Sequence, residues 1–129
     1  MYTGRARVRR THDRRIGVKT PTVDQLVANL SGGNQQKVVI GKWLGADSEI
    51  YLMDEPTKGV DVGAKQEIYR IIQQLADNGK TVIYLSSESM EILSITDRVY
   101  VLYNGRITAE MDTRDATEEI LLHYGTGGN

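Results

Sequence analysis

Two short apolar runs, Ile50–Met53 and Val82–Leu85, stand between polar flanks with a helix-spaced segment between them. No other feature constrains the fold as much. Four apolar residues bounded by turn-forming ones read as an inner strand buried on both faces, the habit of parallel sheets. Between the runs, Ile68, Ile71, Ile72 and Leu75 repeat at the three-and-four spacing of one helix face. Strand, helical crossover and strand argue an α/β fold with a largely parallel sheet. Further on, Arg98–Tyr103 and Ile107–Met111 flank Asn104-Gly105, a strong hairpin signal, so an antiparallel pair is added late.

The remaining elements fall around this frame. Ser31-Gly32-Gly33 opens a helix whose apolar residues are Val38, Val39, Trp43 and Leu44, and Gly45 closes it. Trp43 reads as core on that face. A second helix is expected over Gly63–Asp77, stopped by Asn78-Gly79. Met90, Ile92, Leu93 and Ile95 suggest a short helix, with Glu88 and Glu91 as its solvated start. Ala116–Tyr124 makes a last helix, and Gly125–Asn129 is expected to be floppy. Residues 1–20 are polar and basic, a helix remnant or frayed arm. Thr20-Pro21-Thr22 breaks the chain before a short apolar patch of Val23, Leu26, Val27 and Leu30.

Composition narrows the function classes. The chain's 129 residues, 40% of them hydrophobic and 26% charged, are enough for one soluble domain with a core. No apolar run exceeds five residues, and no signal peptide is expected after Met1, so any membrane role would go through a partner. The absence of cysteine excludes disulfides and thiolate metal sites. His12 and His123 are far apart and sit in no ligand-like cluster. Net charge is −1, yet Arg5, Arg7, Arg9, Arg10, Arg14, Arg15 and Lys19 crowd the start. A basic arm can mean nucleic acid, but only Tyr2 accompanies it as an aromatic. A solvated surface segment is the simpler reading, and no nucleic-acid partner is expected.

Two motifs carry chemistry. The leading N–H groups of a helix have no internal partner and form its positive end, where anions bind. At Ser31-Gly32-Gly33 the glycines leave room for a phosphate to reach the backbone, and Ser31 adds a hydroxyl. Taken alone, the same residues also fit a plain serine N-cap with loop glycines. Asp54-Glu55-Pro56 ends the first strand with two carboxylates at the carboxyl edge of a sheet, where α/β proteins bind ligands. Asp54 there would hold Mg²⁺ through water, and Glu55 would orient an attacking water. The competing reading is an acidic, solvated loop.

Taken together these residues are more specific than either alone. Leu30–Leu44 (LSGGNQQKVVIGKWL) followed by Asp54–Tyr69 (DEPTKGVDVGAKQEIY) and Tyr84–Glu88 (YLSSE) resembles the ATPases of ABC transporters. Leu30–Val39 is similar to their signature motif and Ile50–Pro56 to their Walker B motif. Lys58-Gly59-Val60-Asp61 falls where their D-loop crosses a dimer interface. The wording resembles the second of two tandem modules in bacterial monosaccharide importers of the ribose, galactose and xylose type. It extends from about Val18 to Gly128, with Gly125-Thr126-Gly127-Gly128 like the natural end of those chains.

The resemblance implies a partial P-loop NTPase core of RecA-like type. Residues 1–47 would be a basic arm and the end of the helical subdomain with the signature helix, and residues 48–129 the carboxyl-terminal part of the ATPase core. It implies ATP and Mg²⁺ as cofactors. Ser31, Gly32, Gly33, Asn34, Gln35 and Asp61 would contact nucleotide, Asp54 would hold the metal, and Glu55 would act on water. Implied partners are another ABC ATPase module paired head to tail, a membrane permease and, indirectly, a periplasmic sugar-binding protein. The place implied is the cytoplasmic face of the inner membrane.

Two departures qualify that picture. The phosphate-gripping pattern G-x-x-x-x-G-K-[ST] is absent. Gly79-Lys80-Thr81 imitates its end, but Gln74 stands where the first glycine is required, and the local order is helix to strand rather than the reverse. The missing part is expected upstream of Met1, and the isolated chain is expected to be inactive. Second, the position that holds a histidine in typical ABC ATPases aligns with Ser87. Serine donates a hydrogen bond to a γ-phosphate but carries no positive charge, which implies a weak or non-hydrolytic site on this side. The alternatives are a non-catalytic fragment that at most presents its signature, and a DNA-associated ABC-type ATPase. The absence of long heptad repeats speaks against the latter.

Overall fold

The structure, a computed structural model, describes residues 31–128. The basic arm, the Thr20-Pro21-Thr22 break and the apolar patch lie outside the described residues, as does the side chain of Trp43. The described elements are α1 (Gly32–Leu44), β1 (Ile50–Asp54), α2 (Val62–Asp77), β2 (Thr81–Leu85), α3 (Ser89–Ile95), β3 (Arg98–Tyr103), β4 (Arg106–Asp112), a 3₁₀ turn (Thr113–Asp115) and α4 (Glu118–Gly125). The α/β class and the order of elements are those the sequence predicts. Two compact units result. One holds α1, α2, Ile50–Leu52 and Thr81–Ile83, and the other Met53–Glu55 with the chain from Tyr84 onward.

Among the described residues the strands form two two-stranded sheets, β1 with β2 and β3 with β4. β1 and β2 run parallel: Thr81 N donates to Glu49 O at one end and Glu55 N to Leu85 O at the other, both 2.9 Å. β1 is not, however, a strand buried on both faces. Tyr51 is buried, whereas Ile50 is 62% and Leu52 70% exposed. Among the described residues nothing covers the side of the strand that Ile50 and Leu52 occupy, so period-two alternation replaces the two-sided burial expected.

α2 begins at Asp61, whose Oδ1 accepts from Ala64 N at 3.0 Å. It buries Ile68, Ile71, Ile72 and Leu75, the four residues its periodicity marks. It ends in a Schellman turn, with Gly79 N donating to Ala76 O and Lys80 N to Leu75 O, and Gly79 at φ 79° supplies the left-handed residue. α1 places Ile40 in the core, while Val39, expected on the buried stripe, is 49% exposed.

In the second unit β3 and β4 pair antiparallel from Arg98↔Asp112 to Tyr103↔Arg106. Asn104 and Gly105 turn at φ 47° and 74°, as a two-residue hairpin requires. A bulge between Val101 and Leu102 sets Thr108 outside the register, and its hydroxyl donates to Val101 O and Tyr124 O. Val99, Val101 and Leu121 form the core there, with Ile92, Leu93, Ala109, Ala116 and Tyr124 against it. The last helix starts at Glu118 rather than Ala116, because the Thr117 side chain caps it by accepting from Ile120 N. Its end is ordered rather than floppy: Gly127 N donates to Tyr124 O and Gly128 N to His123 O, a second Schellman turn with Gly127 at φ 89°.

Candidate functional site

Ser31 stands before the first turn of α1, and its hydroxyl oxygen takes the Asn34 N–H at 3.4 Å while its carbonyl takes the Gln35 N–H at 2.9 Å. The serine is therefore an N-cap, as its residue type favours. The hydroxyl's own proton stays available to donate, since accepting one bond uses only a lone pair. Ser31 and Gly32 are exposed and Gly33 is buried. Among the described residues a Cβ at Gly32 would meet only Gly59 O, at 3.8 Å, so these leave the space over the first turn open. A Cβ at Gly33 would fall 2.4 Å from Ala64 Cβ and 3.4 Å from Asp61 Oδ2. The two glycines thus do different work: one leaves an approach to the backbone, the other lets α1 close on the start of α2. One turn further along both helices, buried Lys37 pairs with Glu67.

The structure thus brings Ser31, Gly32, Gly33, Asn34 and Gln35 into one helix start and places Asp61 beside Gly33. The second unit brings together another pair. Glu55 follows β1 at φ 46°, a left-handed conformation uncommon for a residue with a side chain. Its Oε1 accepts the Ser87 N–H at 2.9 Å. Asp54, the last residue of β1, is exposed. Pro56 and Thr57, which follow Glu55 and belong to the first unit, are buried, Thr57 to 1% exposure.

Fit to Mg²⁺ and a phosphate rests on the donor set. Among the described residues no three His, Cys, Asp or Glu side chains gather into a metal cage. One exposed carboxylate at a strand end suits Mg²⁺, which keeps several waters and takes one or two carboxylates beside phosphate oxygens. The open first turn of α1, with N–H groups that helix bonding leaves over, suits a phosphate oxygen. Both groups fit these residues.

Sequence reasoning missed one acid. Glu91, read as a solvated helix start, is 5% exposed, and its Oε2 accepts from Tyr84 Oη at 2.9 Å and Ser86 Oγ at 3.0 Å. The signal was present: an acid between Met90 and Ile92 in an otherwise apolar stretch, four residues after Ser87.

The model of the ABC transporter family matches residues 4–58. An L-arabinose transport ATP-binding protein of Geobacillus stearothermophilus is 57% identical over 109 residues, covering 84% of this chain and 21% of the relative. A ribose import ATP-binding protein of Oceanobacillus iheyensis is 47% identical over 116 residues, covering 90% of this chain and 23% of the relative. The chain belongs to the ABC transporter ATP-binding family. It spans about a fifth of the length of these curated relatives. Among solved structures it is similar to a dimeric post-hydrolysis ATP-binding cassette bound to ADP and Pi, with a TM-score of 0.68 and 25% identity over 78% of this chain and 44% of that one. Membership assigns the fold as a P-loop NTPase of the ABC type. Among the described residues no helix is long and apolar enough to cross a membrane.

Proposed function

We propose that this chain is the part of an ABC sugar-importer ATP-binding subunit that lends its signature to a composite ATP site and carries the Walker B acids. The observation that carries the reading is the first turn of α1. Ser31 and Gly32 are open while Gly33 is locked against Ala64 and Asp61, so donors are presented on a fixed base. The names of the relatives, arabinose transport and ribose import, support a monosaccharide as the cargo. The dimeric cassette among the structural neighbours supports pairing with another ABC module.

In this reading the P-loop of that other module holds ATP. The Ser31 hydroxyl and the N–H groups of Gly32 and Gly33 donate to the γ-phosphoryl oxygens, with Asn34 and Gln35 continuing the cap and Asp61 at the module boundary. Preorganised donors aimed at developing charge stabilise it without reorganisation. The Walker B acids would serve the second ATP, at this module's own site: Mg²⁺ bound with that nucleotide would supply positive charge against the phosphate oxygens, and Asp54 would hold it. The Glu55 carboxylate keeps one oxygen on Ser87 N and has the other to accept from the attacking water. Ser87 donates a hydroxyl where a histidine would bring charge, so this module's own site turns over weakly. Residues 1–47 would be the arm and helical subdomain and residues 48–129 the ATPase core. A permease subunit, fed by a periplasmic sugar-binding protein, would hold the subunit at the cytoplasmic face of the membrane.

A second reading, a non-catalytic module that only presents its signature, draws on the missing P-loop pattern. Both predict no ATP turnover from the 129 residues alone. Ser31→Arg or Gly32→Asp in the complete importer separates them from a role elsewhere. Either substitution is expected to abolish ATP-driven sugar uptake at unchanged protein level. Unchanged uptake and ATPase activity would remove the signature from the mechanism.

A further inference from the structure

The loop Ser86-Ser87-Glu88 is tied on both sides of Ser87 to one buried acid. Glu91 accepts the Ser86 hydroxyl with its carboxylate at 3.0 Å, and its backbone N–H donates to Glu88 O at 3.0 Å. Ser86 Oγ in turn accepts the Glu88 N–H at 3.0 Å. Between those two fixed neighbours, Ser87 N reaches Glu55 Oε1 at 2.9 Å. A second donor, Tyr84 Oη, meets the same Glu91 oxygen at 2.9 Å. Burying a carboxylate is costly unless hydrogen bonds replace its water, and a leucine would fill an apolar helix face without that cost. What the acid gains over leucine is charge-assisted direction: a single oxygen that fixes where the Ser86 hydroxyl, and so the loop, stands.

We propose that Glu91 is a positioning residue that sets the Ser86–Glu88 loop so that the Ser87 amide meets Glu55. The inference rests on the reading of Glu55 and Ser87 as facing the reacting phosphate, but its structural half is measured independently. Glu91 need not touch nucleotide. It acts through Ser86 on the main chain at Ser87, and through that amide on one oxygen of Glu55.

The test uses the complete ATP-binding subunit with Glu91→Ala, Glu91→Gln, Ser86→Ala and Tyr84→Phe. It reads amide hydrogen exchange at Ser87 and steady-state ATP turnover. Glutamine keeps a carbonyl oxygen able to accept both hydroxyls, so Glu91→Gln should leave exchange and kcat within about twofold. Glu91→Ala and Ser86→Ala cut the tie to the loop and should raise Ser87 exchange about tenfold, the scale of a lost charge-assisted bond. Both should lower the part of the turnover that Glu55→Gln abolishes about tenfold, with KM nearly unchanged. Tyr84→Phe removes the other donor to the acid and leaves the loop tie, so Ser87 should stay protected.

Ser87 protection that persists in Ser86→Ala and Glu91→Ala overturns the inference whatever the turnover. Tyr84→Phe opening the loop as far as Ser86→Ala also overturns it, because Glu91 would then serve packing alone. Faster exchange with the Glu55-dependent turnover unchanged upholds the positioning and sinks the reading of Glu55 and Ser87 as the reacting site. If Glu91→Ala does not fold, Ser86→Ala, which empties little space, decides.

Discussion

Gly33 is fixed by its neighbours rather than by its own backbone. An added methyl would overlap the Ala64 methyl at 2.4 Å, and both belong to helices that cannot shift without moving the pair between buried Lys37 and half-buried Glu67. Gly33→Ala should therefore destabilise by about 1–3 kcal/mol, the cost of overpacking, read as a lowered Tm in thermal denaturation. Among the described residues Gly32→Ala meets only a carbonyl oxygen at 3.8 Å, and it adds helix propensity. It should be neutral or stabilising by up to ~1 kcal/mol, yet in the proposed reading impair ATP-driven uptake by the complete importer by narrowing the approach to the first turn. That opposite pair of outcomes separates packing from binding at adjacent glycines. Glu55 makes the complementary case. At φ 46° it occupies a region that disfavours a side chain by roughly 1–2 kcal/mol. In the proposed reading, that strain stands where the chemistry needs a carboxylate rather than the glycine the backbone would favour.

At the level of elements, α2 rests on its cap and its stop. Asp61→Ala removes the oxygen that takes Ala64 N and should cost about 1 kcal/mol, with faster amide exchange confined to the first turn of α2. After the stop, the Lys80 ammonium leads the chain into β2 between two acids, 2.8 Å from Glu49 and 3.2 Å from Asp47. Its hydrogen bond to Glu49, then that to Asp47, raise its pKa above the ordinary lysine value of 10.5. A group with a raised folded pKa stabilises fully below its unfolded value, and that contribution fades as pH climbs through the folded one. The protein should lose stability above pH 10.5, and Lys80→Met should flatten that alkaline decline in pH-dependent denaturation. Much of this scale was legible in the sequence. The isoleucine stripe of α2, the Asn78-Gly79 stop and the Asn104-Gly105 turn each state a local rule that the structure obeys. Thr108 and the ordered Gly125–Gly128 end were not legible, because they depend on a bulge in the strand register and on backbone bonds that composition does not encode; Glu91 left a signal, an acid inside an apolar stretch, but not the identity of its partners Tyr84 and Ser86. The helix-start serine was legible as a cap, while the contact of Gly33 with Ala64 needed the packing of two helices.

For the chain as a whole, burial is uneven in a way that has consequences. Ile50, Leu52 and Ile83 are 62%, 70% and 49% exposed on neighbouring strands of a two-stranded sheet, and among the described residues nothing lies over them. Two strands with an open apolar face are marginal in water, and unpaired edge groups offer hydrogen bonds to other chains. Covering three such side chains is worth on the order of 25 cal/mol per Å² of apolar surface removed from water, and in dilute solution another copy of the same chain can do so. The 129-residue chain on its own should therefore self-associate, seen as concentration-dependent light scattering and early elution in size exclusion. Leu52→Lys, at the most exposed of the three positions, should suppress that association while leaving far-UV helicity unchanged, because the side chain supports no core contact to lose. Scattering that persists in Leu52→Lys would locate the sticky surface elsewhere. The sequence announced these residues as strand core, and the structure agrees about the strand. What periodicity could not supply is the second layer, since a run of apolar residues states that a face wants covering but not which part of a protein covers it.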